Sequence, residues 1–257
     1  MELPNELKDN LKFSDISINS YRIVEDQSRS TTRKLVDTLE EHDALERLID
    51  ENKPKMKLYN DGEYFKNLHY LLMTPFRYPP LKWGSRFGLK HERSIFYSAA
   101  SIDTAMAEKA FYLLAFLNAS DGNIGGKTKN LTSFKAHIKS QRYIDLCSSL
   151  FKEHEGNISS KVDYKFSQSL EHEMRNKDVE CFRYMSARDP IRGYNYGVFS
   201  PRVLSRNSDL DKTFTYYNCY FSKDIVEFTY KNKFNQEKRV FPKAIFLVDG
   251  SLPRPVD

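Results

Sequence analysis

Three side chains on successive stretches of this chain have types and spacing suited to chemistry. They are Arg86 in Gly84-Ser85-Arg86-Phe87-Gly88, Tyr97 in the apolar run Ile95-Phe96-Tyr97, and Glu108 in the segment that opens at Ser101. An arginine fork binds two anionic oxygens at once, an aromatic face stacks on a planar ring, and a carboxylate stabilises a nearby positive charge. Glu108 is the most telling of the three. Ser101 is suited to cap a helix with Asp103 and Thr104 in its first turn, and the apolar positions Ala105, Ala107, Ala110, Phe111, Leu114 and Leu117 carry that helix to the neighbourhood of Asn118. Glu108 then lies one turn from Thr104, Ala105, Phe111 and Tyr112, a face of small and aromatic residues, and is expected to be at least partly buried. A buried carboxylate must be paired or used.

Much later come Phe182-Arg183-Tyr184-Met185-Ser186-Ala187-Arg188 and Gly193-Tyr194-Asn195. Taken in order with Arg86, Tyr97 and Glu108, this pattern resembles the RES-domain family, named for an arginine, a glutamate and a serine. Its members are mostly toxins of bacterial toxin–antitoxin pairs that consume NAD. The resemblance runs from about Leu68 to Phe199 and reaches more weakly back to Tyr21-Arg22 and Thr32-Arg33-Lys34-Leu35. It implies an NAD pocket lined by arginine, tyrosine, glutamate and serine on an α+β fold related to ADP-ribosyltransferases, with a mixed, antiparallel-rich sheet and helices. It also implies an Xre-type antitoxin that covers the NAD site, so that nucleic acid is met only through that partner. An N-terminal extension is expected to serve that contact or a homodimer.

Such a site has definable needs. Nicotinamide leaves NAD as a neutral molecule, so no strong general acid is required, and the developing charge sits on the ribose. A carboxylate to hold a ribose hydroxyl and stabilise an oxocarbenium-like state, an aromatic face for nicotinamide and a cation for the diphosphate meet those needs. Arg86, Glu108 and Ser186 are therefore the expected catalytic residues, and Arg86, Tyr97, Ser186 and Asn195 the expected NAD contacts. In other arginine-serine-glutamate transferases the glutamate follows the serine, whereas here Glu108 precedes Ser186, so the constellation is comparable only through a rearranged topology. The expected activity is NAD phosphorolysis or hydrolysis by a growth-inhibiting toxin, with NAD as substrate, phosphate or water as acceptor and no cofactor. A protein ADP-ribosyltransferase is the alternative within the same chemistry, and a non-catalytic partner- or nucleic-acid-binding protein the alternative outside it.

Composition sets looser bounds. At 257 residues with 40% hydrophobic and 14% aromatic content, the chain can bury a substantial core without staples. Cys147, Cys181 and Cys219 are far apart and lack CxxC spacing, and His172-Glu173 has no second histidine four residues on, so no disulfide framework and no metal site are expected. The N-terminus has no signal-like run and no stretch is long enough to cross a membrane, which points to a cytoplasmic protein. The net charge of +5 is dispersed among 35 acids and reads as a solvated mixed surface. Gly122-Asn-Ile-Gly-Gly126-Lys127-Thr128 lacks the glycine that a phosphate loop needs where Asp121 stands.

Periodicity gives the frame. Helices are expected over Ser30–Glu51, with a break near His42-Asp43, over Gly62–Met73, ended by Pro75, and over Tyr164–Lys177. Strands are expected at Phe134–Ile138, Val179–Tyr184, Tyr196–Phe199, Thr213–Phe221, Ile225–Tyr230 and Arg239–Val248. A helical N-terminal extension, 1–79, then precedes a catalytic domain, 80–257, with the stiff Pro75–Pro80 connector as a soft boundary.

Overall fold

The structure, a computed structural model, describes residues 3–26, 35–52, 68–78, 84–120, 125–205, 209–231 and 237–253. Its frame is one eight-stranded sheet: β1 Ser14–Glu25, β2 Phe96–Ala99, β3 Lys127–Asp145, β4 Cys181–Met185, β5 Tyr194–Val198, β6 Thr215–Phe221, β7 Ile225–Tyr230 and β8 Lys238–Pro242. The order is β1-β2-β5-β4-β3-β6-β7-β8, and β1 also pairs with β3, so the first five strands in that order close on themselves. All pairings are antiparallel except β3 with β4. The fold is α+β and antiparallel-rich, as expected.

Residues 14–25 differ from the expectation of a helical extension. Ahead of them the short helix α1, Asn5–Asp9, buries Leu7 and goes no further. Ser14-Asp-Ile-Ser-Ile-Asn-Ser-Tyr-Arg-Ile-Val-Glu25 alternates, and it runs beside β3 from Ser14↔Tyr143 to Glu25↔Leu131. An alternating segment satisfies its backbone groups and buries one face by joining a sheet, which no helix of this sequence would achieve. Helix α2, Leu39–Asn52, runs through His42-Asp43 without a break. Helix α3, Tyr70–Arg77, continues two residues past Pro75, because burial of Leu71, Leu72 and Phe76 in the core around Phe96, Phe134 and Val198 outweighs one missing donor. Parts of the stretches expected as helices from Ser30 and from Gly62, of the Pro75–Pro80 connector and of the Gly122–Thr128 segment lie outside the described residues.

Two further helices flank the sheet. Helix α4, Ile102–Asn118, packs Met106, Ala110, Phe111, Leu114 and Leu117 against Tyr217, Phe221 and Phe228 of β6 and β7. The helix Lys165–Asn176 lays Phe166, Leu170 and Met174 against Phe182 and Tyr184 of β4 and against Phe87. The last expected strand stops at Pro242, and Lys243–Phe246 turns as a short 3-10 helix, since proline has no N–H for the ladder. Among the described residues no helix is long and apolar enough to cross a membrane, and no group of His, Cys, Asp and Glu could hold a metal ion.

The helix 165–176 also carries a buried carboxyl. Glu171 is fully buried and accepts from Arg175 Nε, while Arg175 Nη2 donates to the Arg93 carbonyl at 2.8 Å and Glu92 accepts from Leu89 N at 2.9 Å. Burial, then Glu92 beside it, pushes the Glu171 carboxyl up to about 8, from an ordinary 4.5. The folded chain keeps a proton there that the unfolded chain releases, so stability contributed by this group falls as pH rises from about 4.5 to about 8. Glu171→Gln keeps the acceptor for Arg175 and should flatten that fall in melting temperature measured across the same window. An unchanged slope would assign the pH dependence to other groups.

Candidate active site

Glu108 is held by two elements that meet beneath it. Ser101 caps α4 by accepting from Thr104 N at 3.1 Å, and Glu108 projects one turn later. Ser186 follows β4, and Asn195 sits on β5 opposite Ala99 on one side and Tyr184 on the other. Ser186 Oγ donates to Glu108 Oε1 at 2.7 Å, and Asn195 Nδ2 donates to the same oxygen at 2.6 Å. Among the described residues Oε2 receives no hydrogen bond. The serine is itself fixed: its Oγ accepts from Arg188 N at 3.1 Å and Asp189 N at 3.0 Å. One donor and two acceptor positions are all a hydroxyl has, and all three are in use.

The turn between β4 and β5 is pinned to α4. Asp189 Oδ2 accepts from Thr104 Oγ1 at 2.7 Å and from Gly193 N at 3.3 Å, and Ser186 N donates to Gly193 O at 2.7 Å. These contacts bring the cap of the helix and the serine turn together, which sets the distance from Glu108 to its donors.

Arg86 and Tyr97 approach from the other side. Ser85 and Gly88 exchange backbone bonds of 2.7 and 3.3 Å, and Gly84 has φ +74°, where a Cβ would stand 2.3 Å from the Gly88 carbonyl. Ser167 Oγ and Gln168 Nε2 donate to the Arg86 and Ser85 carbonyls at 2.6 and 3.0 Å. Buried Arg86 donates through Nη1 to the carbonyls of Ile158, 3.2 Å, and Ser160, 2.7 Å, and its guanidinium lies 4.5 Å from the Tyr164 ring centroid. The Tyr97 hydroxyl accepts from Phe87 N at 3.2 Å and bonds Ser85 Oγ at 2.9 Å. Burial raises its phenol above the ordinary range, so Tyr97 stays neutral.

Arg86, Tyr97, Glu108 and Asn195 all line one cavity of about 590 Å³. Ser186 is buried behind Glu108 and does not line it. The cavity also takes in residues that the sequence pattern did not single out as site residues, above all Arg22, Lys109, Tyr164, Tyr184 and Arg188. Arg22 donates to the Tyr97 carbonyl at 2.5 Å and lies over Phe96, 4.8 Å from its centroid, and burial lowers its guanidinium to about 10. Burial likewise lowers Lys109. Tyr184, buried and then influenced by Glu108, has its phenol pushed well up. Among the described residues the wall holds five cationic side chains, Arg22, Arg86, Arg93, Lys109 and Arg188, against the single carboxylate of Glu108, with tyrosines between them. A ligand with both anionic groups and planar rings suits such a lining.

The RES domain family model matches residues 64–217, more than half of the chain, and the chain belongs to that family. Among solved structures, one similar chain is in the crystal structure of the M. tuberculosis MbcT–MbcA toxin–antitoxin complex. It is 12% identical, with 76% of this chain and 79% of that chain covered, at a TM-score of 0.43. No curated protein matches the sequence.

The turn that carries Ser186 supplies a test of this geometry. A Cβ at Gly193 would stand 2.2 Å from Thr104 Oγ1 and 2.6 Å from Asp189 Oδ2, the two atoms that tie the turn to α4. Gly193→Ala should therefore cost about 1–3 kcal/mol in chemical denaturation, as overpacking does. A variant as stable as the parent would mean that the Thr104–Asp189 contact yields without cost.

Proposed function

We propose that this RES-domain protein cleaves the nicotinamide–ribose bond of NAD and delivers the ADP-ribosyl group to inorganic phosphate or water, as a growth-inhibiting toxin restrained by an antitoxin of the Xre type. The observation that carries this reading is the Glu108 carboxylate, fixed through Oε1 by Ser186 and Asn195 and with no hydrogen bond to Oε2 among the described residues, in a cavity rich in cations and tyrosines. Family membership supports it, since the matched span, residues 64–217, includes Arg86, Tyr97, Glu108, Ser186 and Asn195.

The chemistry follows from charge. As the bond from the ribose C1 to the pyridinium nitrogen breaks, its electron pair neutralises the ring, nicotinamide departs and positive charge develops on the sugar. Glu108 stabilises that charge and holds a ribose hydroxyl, in a wall where a fixed carboxylate is worth more than in water. An oxygen of phosphate then bonds C1 to give an ADP-ribosyl phosphate, or water bonds it and releases a proton. Tyr97, neutral and fixed by Ser85 and Phe87, offers a face to the nicotinamide. Arg86 has its Nη1 committed to two carbonyls, and its remaining N–H groups are the ones available to a substrate oxygen. Ser186 and Asn195 act through Glu108 and are positioning residues.

Incubation of the purified protein with NAD, with and without phosphate, followed by product mass, tests the reading directly. Glu108→Gln keeps size and hydrogen bonding but removes the charge, and should abolish NAD loss in a folded protein, an effect on the order of several kcal/mol. Near-normal turnover would sink the assignment. Ser186→Ala should lower activity roughly 10- to 1000-fold, the loss of one to a few well-placed bonds. Its effect should be non-additive with that of Glu108→Gln, since both act on one carboxylate. An ADP-ribosyl adduct on Ser186 during turnover would make the serine a participant instead.

A further inference from the structure

Arg188 lines the cavity with a guanidinium whose bonding is incomplete although the whole residue is buried. It is 4% exposed, and its Nη2 donates to the Lys161 carbonyl at 2.9 Å and the Tyr164 hydroxyl at 3.2 Å. The guanidinium lies against Phe111, 3.6 Å from the ring centroid. These contacts fix its plane. Nη1 is buried without any hydrogen-bond partner, and no carboxylate pairs with Arg188 among the described residues. A buried guanidinium N–H left unpaired is costly, and an arginine is seldom buried without a counter-charge. Ser186 Oγ ties the residue to the site's carboxylate, accepting from Arg188 N and donating to Glu108.

We infer that Arg188 is the anchor for a phosphate oxyanion in this cavity, with Nη1 as the donor. The partner it lacks is an anion, and phosphate oxygens are the acceptors that suit a fixed guanidinium best. Arg86 is the contrasting case: its Nη1 serves Ile158 and Ser160, and among the described residues none of its nitrogens is buried without a partner. Arg22 shares the feature of a buried nitrogen without a partner, Nε, but the residue as a whole is more exposed than Arg188 and its Nη1 is bonded to the Tyr97 carbonyl, on the far side of the site from Ser186. The oxyanion belongs either to the diphosphate of the nucleotide or to free orthophosphate arriving as acceptor. The inference deepens the NAD reading, on which its choice of a nucleotide phosphate rests.

Calorimetric titration of the whole chain with ADP, orthophosphate and adenosine, none of which is turned over, tests it. Arg188→Met fills the space beside Phe111 without charge, and Arg188→Lys keeps a charge without the fork and carries the test if the first variant does not fold. Loss of one charge-assisted bond should weaken phosphate-bearing ligands roughly 10- to 100-fold and leave adenosine unchanged. A loss confined to ADP assigns the site to the nucleotide diphosphate, and a loss confined to orthophosphate assigns it to the acceptor. Unchanged binding of both, an equal loss on adenosine, or a parent protein that binds neither phosphate ligand overturns the inference. A parent that leaves NAD intact yet binds ADP through Arg188 would overturn the NAD reading alone.

Discussion

Everything in the site hangs on one carboxylate oxygen. Glu108 Oε1 receives the Ser186 hydroxyl and the Asn195 amide, and those donors come from the end of β4 and from β5, antiparallel neighbours in the sheet. The helix that offers Glu108 must be set against that pair to a fraction of an ångström. The Thr104–Asp189 bond does this at its N-terminus, and Phe111, Leu114 and Leu117 do it along its length by packing on β6 and β7. The extended C-terminal sheet thus seats a helix whose other face holds one oxygen still.

The second constraint is electrostatic. Among the described residues five cations face one carboxylate in a cavity where burial already lowers Arg22 and Lys109. Three of the guanidinium groups are partly reconciled to this by an aromatic face and a carbonyl: Arg22 by Phe96 and the Tyr97 carbonyl, Arg86 by Tyr164 and two carbonyls, Arg188 by Phe111 and the Lys161 carbonyl. Neutral partners hold a cation in place without cancelling its charge. The cavity therefore keeps a positive potential for an anionic ligand, which carboxylate partners would have quenched.

Residues close in sequence made much of this legible. Ser101, Thr104 and Glu108 lie within one capped helix, and helical periodicity alone places the carboxylate on its small, aromatic face. The strands 181–185, 194–198, 215–221 and 225–230 follow expected runs closely. What escaped depends on pairings far apart in the chain. The alternation of Ile16, Ile18 and Val24 is a strand signal, yet its meaning comes from β3, more than a hundred residues away, and that pairing, with the one from Tyr21 to Ala99 of β2, carries Arg22 to the cavity. Arg188 stands two residues from Ser186, but nothing local tells that its guanidinium turns inward onto Phe111. Pro75 marks a helix end by local rules, and the burial of Phe76 overrides it.

The order of Glu108 before Ser186 also finds its physical account in the sheet. β2 leads directly into the helix that bears Glu108, and β2 pairs with β5, which pairs with β4, so the helix that follows β2 and the turn that follows β4 both come to Asn195. Sequence order is then irrelevant to the meeting of the side chains. The geometry also bears on the part the serine takes in the proposed chemistry. With its proton directed to Glu108 and its oxygen accepting two backbone N–H groups, Ser186 has no lone pair to spare for bond formation. In the proposed reaction it aims a carboxylate, and the backbone N–H groups of Arg188 and Asp189 hold the serine in turn.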